Sequence, residues 1–253
     1  MPMTAKTDFV GWRRFATAIL AACLTSYPLL SPLAWEIDDM QRRMLNEIAA
    51  DFRATAHLTG RQAMQPAVER AMRVVRRHEF VSTTRIDEAY LNRPLLIGHG
   101  QTISQPYIVA IMTDLLDLGP GSSVLEIGTG SGYQAAVLAE IAGEVRTIEI
   151  VEPLALTAAA RLKRLGYDQV EVRVGDGNYG WPDAAPFDGI LVTAGGRVPP
   201  KLVEQLKPGG RMVIPIDLSD GSQELILLTK DPDGEVSQRS ILPVRFVPLT
   251  GDN

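Results

Sequence analysis

The sequence predicts an α/β fold, a doubly wound Rossmann-like sheet behind an N-terminal helical extension. Three observations predict it. Apolar runs of strand length alternate with amphipathic stretches of helix length from Val124 to Leu206. The first of those runs, Val124-Leu125-Glu126-Ile127, passes directly into Gly128-Thr129-Gly130-Ser131-Gly132, a glycine turn that opens a helix. An acidic residue, Glu149, then closes the next apolar run. Glycines let backbone approach a ligand without Cβ interference, and a helix start offers unpaired N–H groups. An acid at that spacing suits a ribose diol.

Composition sets the outer limits. A chain of 253 residues with 45% hydrophobic content can bury one sizeable domain with an extension. Its single cysteine, Cys23, rules out an intramolecular disulfide. The net charge of −5 is uneven: residues 1–100 hold 13 Lys+Arg against 10 Asp+Glu, the remainder 12 against 20. A C-terminal part that acidic is a poor match for a nucleic-acid backbone, so no nucleic-acid partner is expected.

Residues 1–36 read as a signal-like or anchor-like extension. Lys6, Arg13 and Arg14 precede an apolar run from Phe15 to Leu24, and Leu20-Ala21-Ala22-Cys23 resembles a lipoprotein cleavage box. The run is short and followed by Pro28, a weak pattern for a membrane span. A membrane-associated tail, or an upstream start with Met40 or Met44 as the natural beginning, stays open. A cytoplasmic location is expected, with a periplasmic or membrane-anchored form through residues 13–34 as the alternative.

Residues 37–93 read as helical. A helix is expected from Asp38, capped by Asp38 or Asp39, with Met40, Met44, Leu45, Ile48 and Phe52 on one face and a break at Leu58-Thr59-Gly60. A second helix groups Val68, Met72 and Val75. Arg70, Arg73, Arg76 and Arg77 then form a solvated face in preference to an anion-binding patch.

Residues 94–253 read as the main domain. Pro94 to Pro106 is expected as a glycine-bearing loop leading into a helix over Tyr107–Leu116, with Pro106 in its first turn and Ser104 placed to cap. A hydroxyl and helix N–H groups at one place favour a carboxylate. His99 reads as a structural loop residue. Helices are expected over Gly132–Gly143, Pro153–Leu165 and Pro199–Leu206, the last closed by Pro208-Gly209-Gly210. Strands are expected over Val145–Ile150, Val170–Val174, Phe187–Thr193, Arg211–Ile216 and Glu224–Thr229, with a last one ending at Phe246. Gly175-Asp176-Gly177 is a tight turn at the sheet's carboxyl edge, where Asp176 could accept from an adenine amine and Gly177 leave room for the ring.

The glycine spacing narrows the cofactor. A dinucleotide fingerprint is G-x-G-x-x-G, holding a pyrophosphate on the helix N-terminus. Here the glycines run G-x-G-x-G and follow Glu126. That carboxylate would repel a pyrophosphate but suits a ligand with an amino group and a sulfonium, which favours S-adenosylmethionine over a nicotinamide. A glycine-rich strand–helix turn without a ligand is the bland alternative.

These segments together resemble the protein-L-isoaspartate O-methyltransferase family from about Val74 to Leu249. The resemblance is carried by Ile97 to Pro106, Val124 to Tyr133, Val174-Gly-Asp-Gly177, Pro186-Phe-Asp188 and Val244 to Leu249. It implies a fold of the S-adenosylmethionine-dependent methyltransferase type and methylation of the free α-carboxylate of isoaspartyl residues in proteins and peptides, without a metal; a monomer is expected, and no stable partner is named. Ser104 matches the family's active-site serine, with Gln101 and Thr102 beside it and Val247-Pro248 lining the peptide groove. Glu126, Gly128, Gly130, Gly132, Glu149, Asp176 and Gly177 would hold the cofactor. The loop Ala194-Gly-Gly-Arg-Val198 departs from the Ala/Pro-rich stretch of relatives. The rivals are a methyltransferase of another carboxylate acceptor and a non-catalytic, envelope-attached protein with the same fold.

Overall fold

The computed structural model describes Met1 and residues 32–251, so most of the signal-like segment lies outside the described residues. Helix α1 (Pro32–Thr59) starts well before the expected Asp38, because a proline is tolerated in a helix's first turn. Asp38 and Asp39 are therefore not caps but interior residues. Asp39 pairs with Arg42 at 3.0 Å and Arg43 at 2.6 Å, and Asp38 with Arg76 at 2.6 Å. The predicted apolar face buries Met44, Ile48 and Phe52 completely, and the Phe52 ring meets Tyr107 edge-on at 5.7 Å. Gly60, at φ 72°, ends the helix where the sequence places the break.

Helix α2 (Pro66–Val74) buries Val68, Ala71 and Met72. The turn before it docks on the fully buried Asp114, which accepts from Gln65 N at 2.6 Å and pairs with Arg61 at 3.1 Å. The expected solvated arginine face needs one correction. Arg73 and Arg76 lie at the surface in ion pairs, but Arg77 lies past the helix and is fully buried.

The expected loop from Pro94 is instead a hairpin, β1 (Leu95–Gly98) antiparallel to β2 (Gln101–Ile103). His99 at φ 52° and Gly100 at φ 72° make its tight turn, a left-handed pair that a two-residue hairpin requires. Helix α3 (Pro106–Leu116) follows.

The main sheet holds β3 (Ser123–Ile127), β4 (Glu144–Glu149), β5 (Val170–Val174), β6 (Phe187–Val192), β7 (Leu206–Asp217), β8 (Gln223–Lys230) and β9 (Val236–Val244). Their spatial order is β5-β4-β3-β6-β7-β8-β9, with β3 to β7 parallel and β8 and β9 added antiparallel. Helices α4 (Tyr133–Ala139), α5 (Glu152–Arg164) and α6 (Pro200–Glu204) make three of the crossovers, and the one from β5 to β6 runs through two short 3-10 turns, Gly177–Tyr179 and Pro182–Ala184. The direction of travel reverses between β3 and β6, so a switch-point crevice opens at their carboxyl ends. Strand β7 begins at Leu206 and absorbs Pro208-Gly209-Gly210, which was expected to close a helix. The register jumps from Phe187↔Leu206 to Gly189↔Arg211, and the intervening residues bulge out of the ladder. Strand β9 ends at Val244, two residues short of the expected Phe246.

Strand alternation divides the core into two layers. Val124, Val145, Leu191 and Val213 face the layer that includes α1 to α4. Leu125, Ile127, Ile148, Ile190 and Met212 face the opposite one, with Trp181, Phe187 and Leu202. The first layer joins residues of the 37–93 region to the rest of the chain in a single core.

Candidate active site

The glycine turn is shaped first by the protein itself. Gly128, at φ 94°, leaves β3 with its N–H donating to Ile148 O at 2.8 Å. A Cβ there would collide with Thr193 Oγ1, which donates to Gly128 O at 2.8 Å and Ile127 O at 3.0 Å. Gly130, at φ 52°, donates its N–H to Glu149 Oε2 at 2.8 Å, while Val151 N donates to Oε1 at 2.9 Å. Gly132, at φ 86°, lets α4 start against α5, where a Cβ would press on Leu162 at 3.3 Å. The three glycines share one cause: a left-handed path threaded between β4, α5 and the end of β6.

Glu126 points into the α3/α4 layer and is fully buried. Thr147 Oγ1 donates to its Oε2 at 2.6 Å, and Thr147 in turn meets Thr129 Oγ1 of the turn at 2.6 Å. Its Oε1 is buried without a partner among the described residues. Burial pushes the carboxyl pKa up to about 8; the Thr147 hydrogen bond opposes this and the charge of Glu149 adds to it. An unpaired buried oxygen is costly, and a cationic donor would satisfy it.

Asp176 follows β5 and accepts from Asn178 N at 2.8 Å and Nδ2 at 2.9 Å through the same oxygen. Gly251 passes so close that a Cβ on it would strike the Asp176 carboxylate. At Gly177 a Cβ would collide with Ile127, so the packing at the end of β3 already requires the glycine.

On the other side of the turn stand Gln101 and Thr102 in β2, and Ser104 just after it. Ser104 does not cap α3: the N-cap is Gln105, and no side chain there makes a capping bond. The amide of Tyr107 donates instead to Asn92 Oδ1 at 3.1 Å, with Asn92 anchored to Asp51 at 2.7 Å. That amide is therefore occupied, which removes it from the expected carboxylate site. The half-buried Ser104 hydroxyl has no hydrogen bond among the described residues. Its carbonyl accepts from Arg77 Nη2 at 2.8 Å.

Val247 and Pro248 lie in a segment stitched to the loop after β6. Gly195 N donates to Val247 O at 2.8 Å, and Leu249 N donates to Gly195 O at 2.6 Å. A Cβ on Gly195 would collide with the amide of Gln223, whose Oε1 accepts from Phe246 N at 2.5 Å. Gly195 thus answers to Gln223, while a Cβ on Gly196 would press on Leu249 at 3.3 Å.

The tertiary structure joins part of the predicted set. Gly128, Gly130, Glu149 and Gly177 meet at the carboxyl ends of β3 and β4, and Ile97 of the hairpin reaches within 3.4 Å of where a Gly130 Cβ would stand. No hydrogen bond links Ser104 to Val247 or Pro248 among the described residues. A cavity of about 380 Å³ beside the turn is lined by Gly130, Ser131, Ile97, Leu154, Arg85 and Arg161, but by none of the three predicted acids. Sequence reasoning missed Thr147, Thr193, Asn92 and the buried place of Arg77. None carries a local signal, because each acts on a partner far away in the chain.

A switch-point crevice, a glycine turn and buried acids at the ends of adjacent parallel strands define the class of S-adenosylmethionine-dependent methyltransferases. The family described as protein-L-isoaspartate(D-aspartate) O-methyltransferase (PCMT) matches residues 56–253, and the chain belongs to that family. A Syntrophobacter fumaroxidans protein-L-isoaspartate O-methyltransferase 2 is 59% identical over 210 residues, 83% of this chain and 85% of that one. A Nitrosospira multiformis protein-L-isoaspartate O-methyltransferase 1 is 54% identical over 244 residues, 96% and 99% of the two chains. A solved protein-L-isoaspartate O-methyltransferase superposes with TM-score 0.72 at 28% identity, covering 83% of this chain and 66% of that one. A Plasmodium falciparum structure of this fold, in complex with S-adenosyl-L-homocysteine, superposes with TM-score 0.67 at 23% identity, covering 84% and 97%.

Proposed function

We propose that this chain transfers a methyl group from S-adenosylmethionine to the free α-carboxylate of L-isoaspartyl and D-aspartyl residues in damaged proteins and peptides, the step that initiates their repair. The family match over residues 56–253 carries this reading. When bound, S-adenosylmethionine supplies an electrophilic methyl group on a sulfonium centre. The buried, unpartnered Glu126 Oε1 fits the need of its amino group for an acceptor. Glu149, Asp176 and Gly177 complete the proposed set, around the path of Gly128, Gly130 and Gly132.

A carboxylate acceptor, with an ordinary pKa of about 4, is already ionised near neutral pH, so the chain need not supply a base. Its task is alignment, which can account for roughly 7–11 kcal/mol of a barrier. Ser104 donates its uncommitted hydroxyl to the acceptor carboxylate and orients it; nothing among the described residues accepts its proton to make it a nucleophile. Gln101, Thr102, Val247 and Pro248 line the peptide on either side. Among the described residues no helix is long and apolar enough to cross a membrane. Cytoplasmic supply of the methyl donor supports action in that compartment. Methyl transfer from labelled S-adenosylmethionine to an isoaspartyl peptide, with the aspartyl isomer as control, tests the function. Labelling of the isoaspartyl peptide alone is expected; equal labelling of both, or none, rejects it.

A further inference from the structure

Arg77 is the one arginine among the described residues that is fully buried, and no carboxylate meets it. A buried charge without a counter-ion is costly, so its hydrogen bonds must hold it in place. Nε donates to Ala89 O at 2.7 Å and Nη2 to Ser104 O at 2.8 Å, while Nη1 finds no partner. The guanidinium carbon lies 4.9 Å from the centre of the Tyr133 ring, and Tyr133 is the first residue of α4 after the glycine turn. Burial lowers the pKa to about 10, with Tyr133 opposing, so the group stays charged near neutral pH.

These contacts have a common geometry. Ala89 precedes the β1–β2 hairpin and Ser104 follows it, so one planar fork clamps both ends of the segment that carries Gln101 and Thr102. The same fork rests on the ring that begins the helix beyond the cofactor turn. We propose that Arg77 is a positioning residue for methyl transfer: it fixes the Ser104 backbone, and through it the hydroxyl, against the donor turn. The inference rests on the reading of Ser104 as the residue that orients the acceptor carboxylate. Lysine keeps the charge but lacks the fork, and a single ammonium does not reproduce two fixed N–H directions.

Arg77→Lys, Ser104→Ala and the double variant test this by kcat and KM for an isoaspartyl peptide and by calorimetric affinity for S-adenosylmethionine. Ser104→Ala keeps the carbonyl that Arg77 holds, so the two changes separate backbone from hydroxyl. Arg77→Lys is expected to lower kcat about ten-fold, with cofactor affinity within two-fold of the parent. In the Ser104→Ala background the same change should cost less than two-fold, because the group being aimed is gone. A ten-fold loss in both backgrounds, a parallel loss of cofactor affinity, or an unchanged kcat in Arg77→Lys overturns the proposal. Ser104→Ala with full activity refutes the Ser104 reading itself, a result distinct from an inert Arg77→Lys. Arg77→Gln provides a second, neutral variant. If circular dichroism shows both Arg77 variants unfolded, Arg77 serves the fold and not the alignment, and the proposal falls.

Discussion

Replacing Gly128 with alanine adds a carbon where Thr193 Oγ1 already sits. Two costs follow. The backbone at φ 94° lies in the left-handed region, which penalises an L side chain by about 1–2 kcal/mol. The Thr193 hydroxyl must also turn away and lose its bond to Gly128 O, worth about 1 kcal/mol. Ile127 O keeps the Thr193 N–H at 2.9 Å, so only the one carbonyl is stranded. The sum is about 2–3 kcal/mol, which lowers Tm by roughly 4–12 °C for a domain of this size. Thermal unfolding followed by circular dichroism, without cofactor, is the assay. Thr193→Ala supplies the control. Alone it should cost about 1 kcal/mol, but within Gly128→Ala it should cost nothing further, because the next atom, Thr193 Cβ, would stand 3.6 Å away. Unchanged stability of the cofactor-free Gly128→Ala protein, or strict additivity of the two changes, would refute the reasoning. The glycine would then serve the ligand alone.

Three further outcomes are expected. Glu126 has a folded pKa of about 8, above its ordinary 4.5, so the stability of its protonated form is complete below pH 4.5 and is lost as pH rises through 8. Glu126→Gln should flatten Tm against pH across that window, and parallel curves for the two proteins would contradict the assignment. Ser104→Ala should lower kcat for the isoaspartyl peptide with cofactor affinity nearly unchanged; matching losses in both would remove Ser104 from the acceptor side. Asn92→Ala strips the cap from Tyr107 N and the tie to Asp51, and should cost about 1–2 kcal/mol in urea unfolding. A midpoint equal to the parent's would show that water replaces the cap.

Much of the fold was legible because it is written in near neighbours. Strand Val170–Val174 and the α1 face of Met44, Ile48 and Phe52 follow from periods of two and 3.6 residues. The glycine turn was legible because its left-handed path requires glycine wherever it docks. The hairpin at His99-Gly100 was missed because a histidine at positive φ is a weak turn signal, and the long β7 because Pro208-Gly209-Gly210 reads as an end and not as a bulge.

The order of strands and helices, the glycine turn with its acids and the family's motifs were thus determined by the sequence alone. Only the tertiary structure decided what those residues do beside one another. It placed Thr193 beneath Gly128, left Glu126 Oε1 without a partner, gave the α3 cap to Asn92 instead of Ser104, and buried Arg77 against the Ser104 carbonyl. The physical reason is range. Periodicity and turn chemistry act over a few residues, whereas burial and the choice of hydrogen-bond partner depend on which distant segment packs alongside.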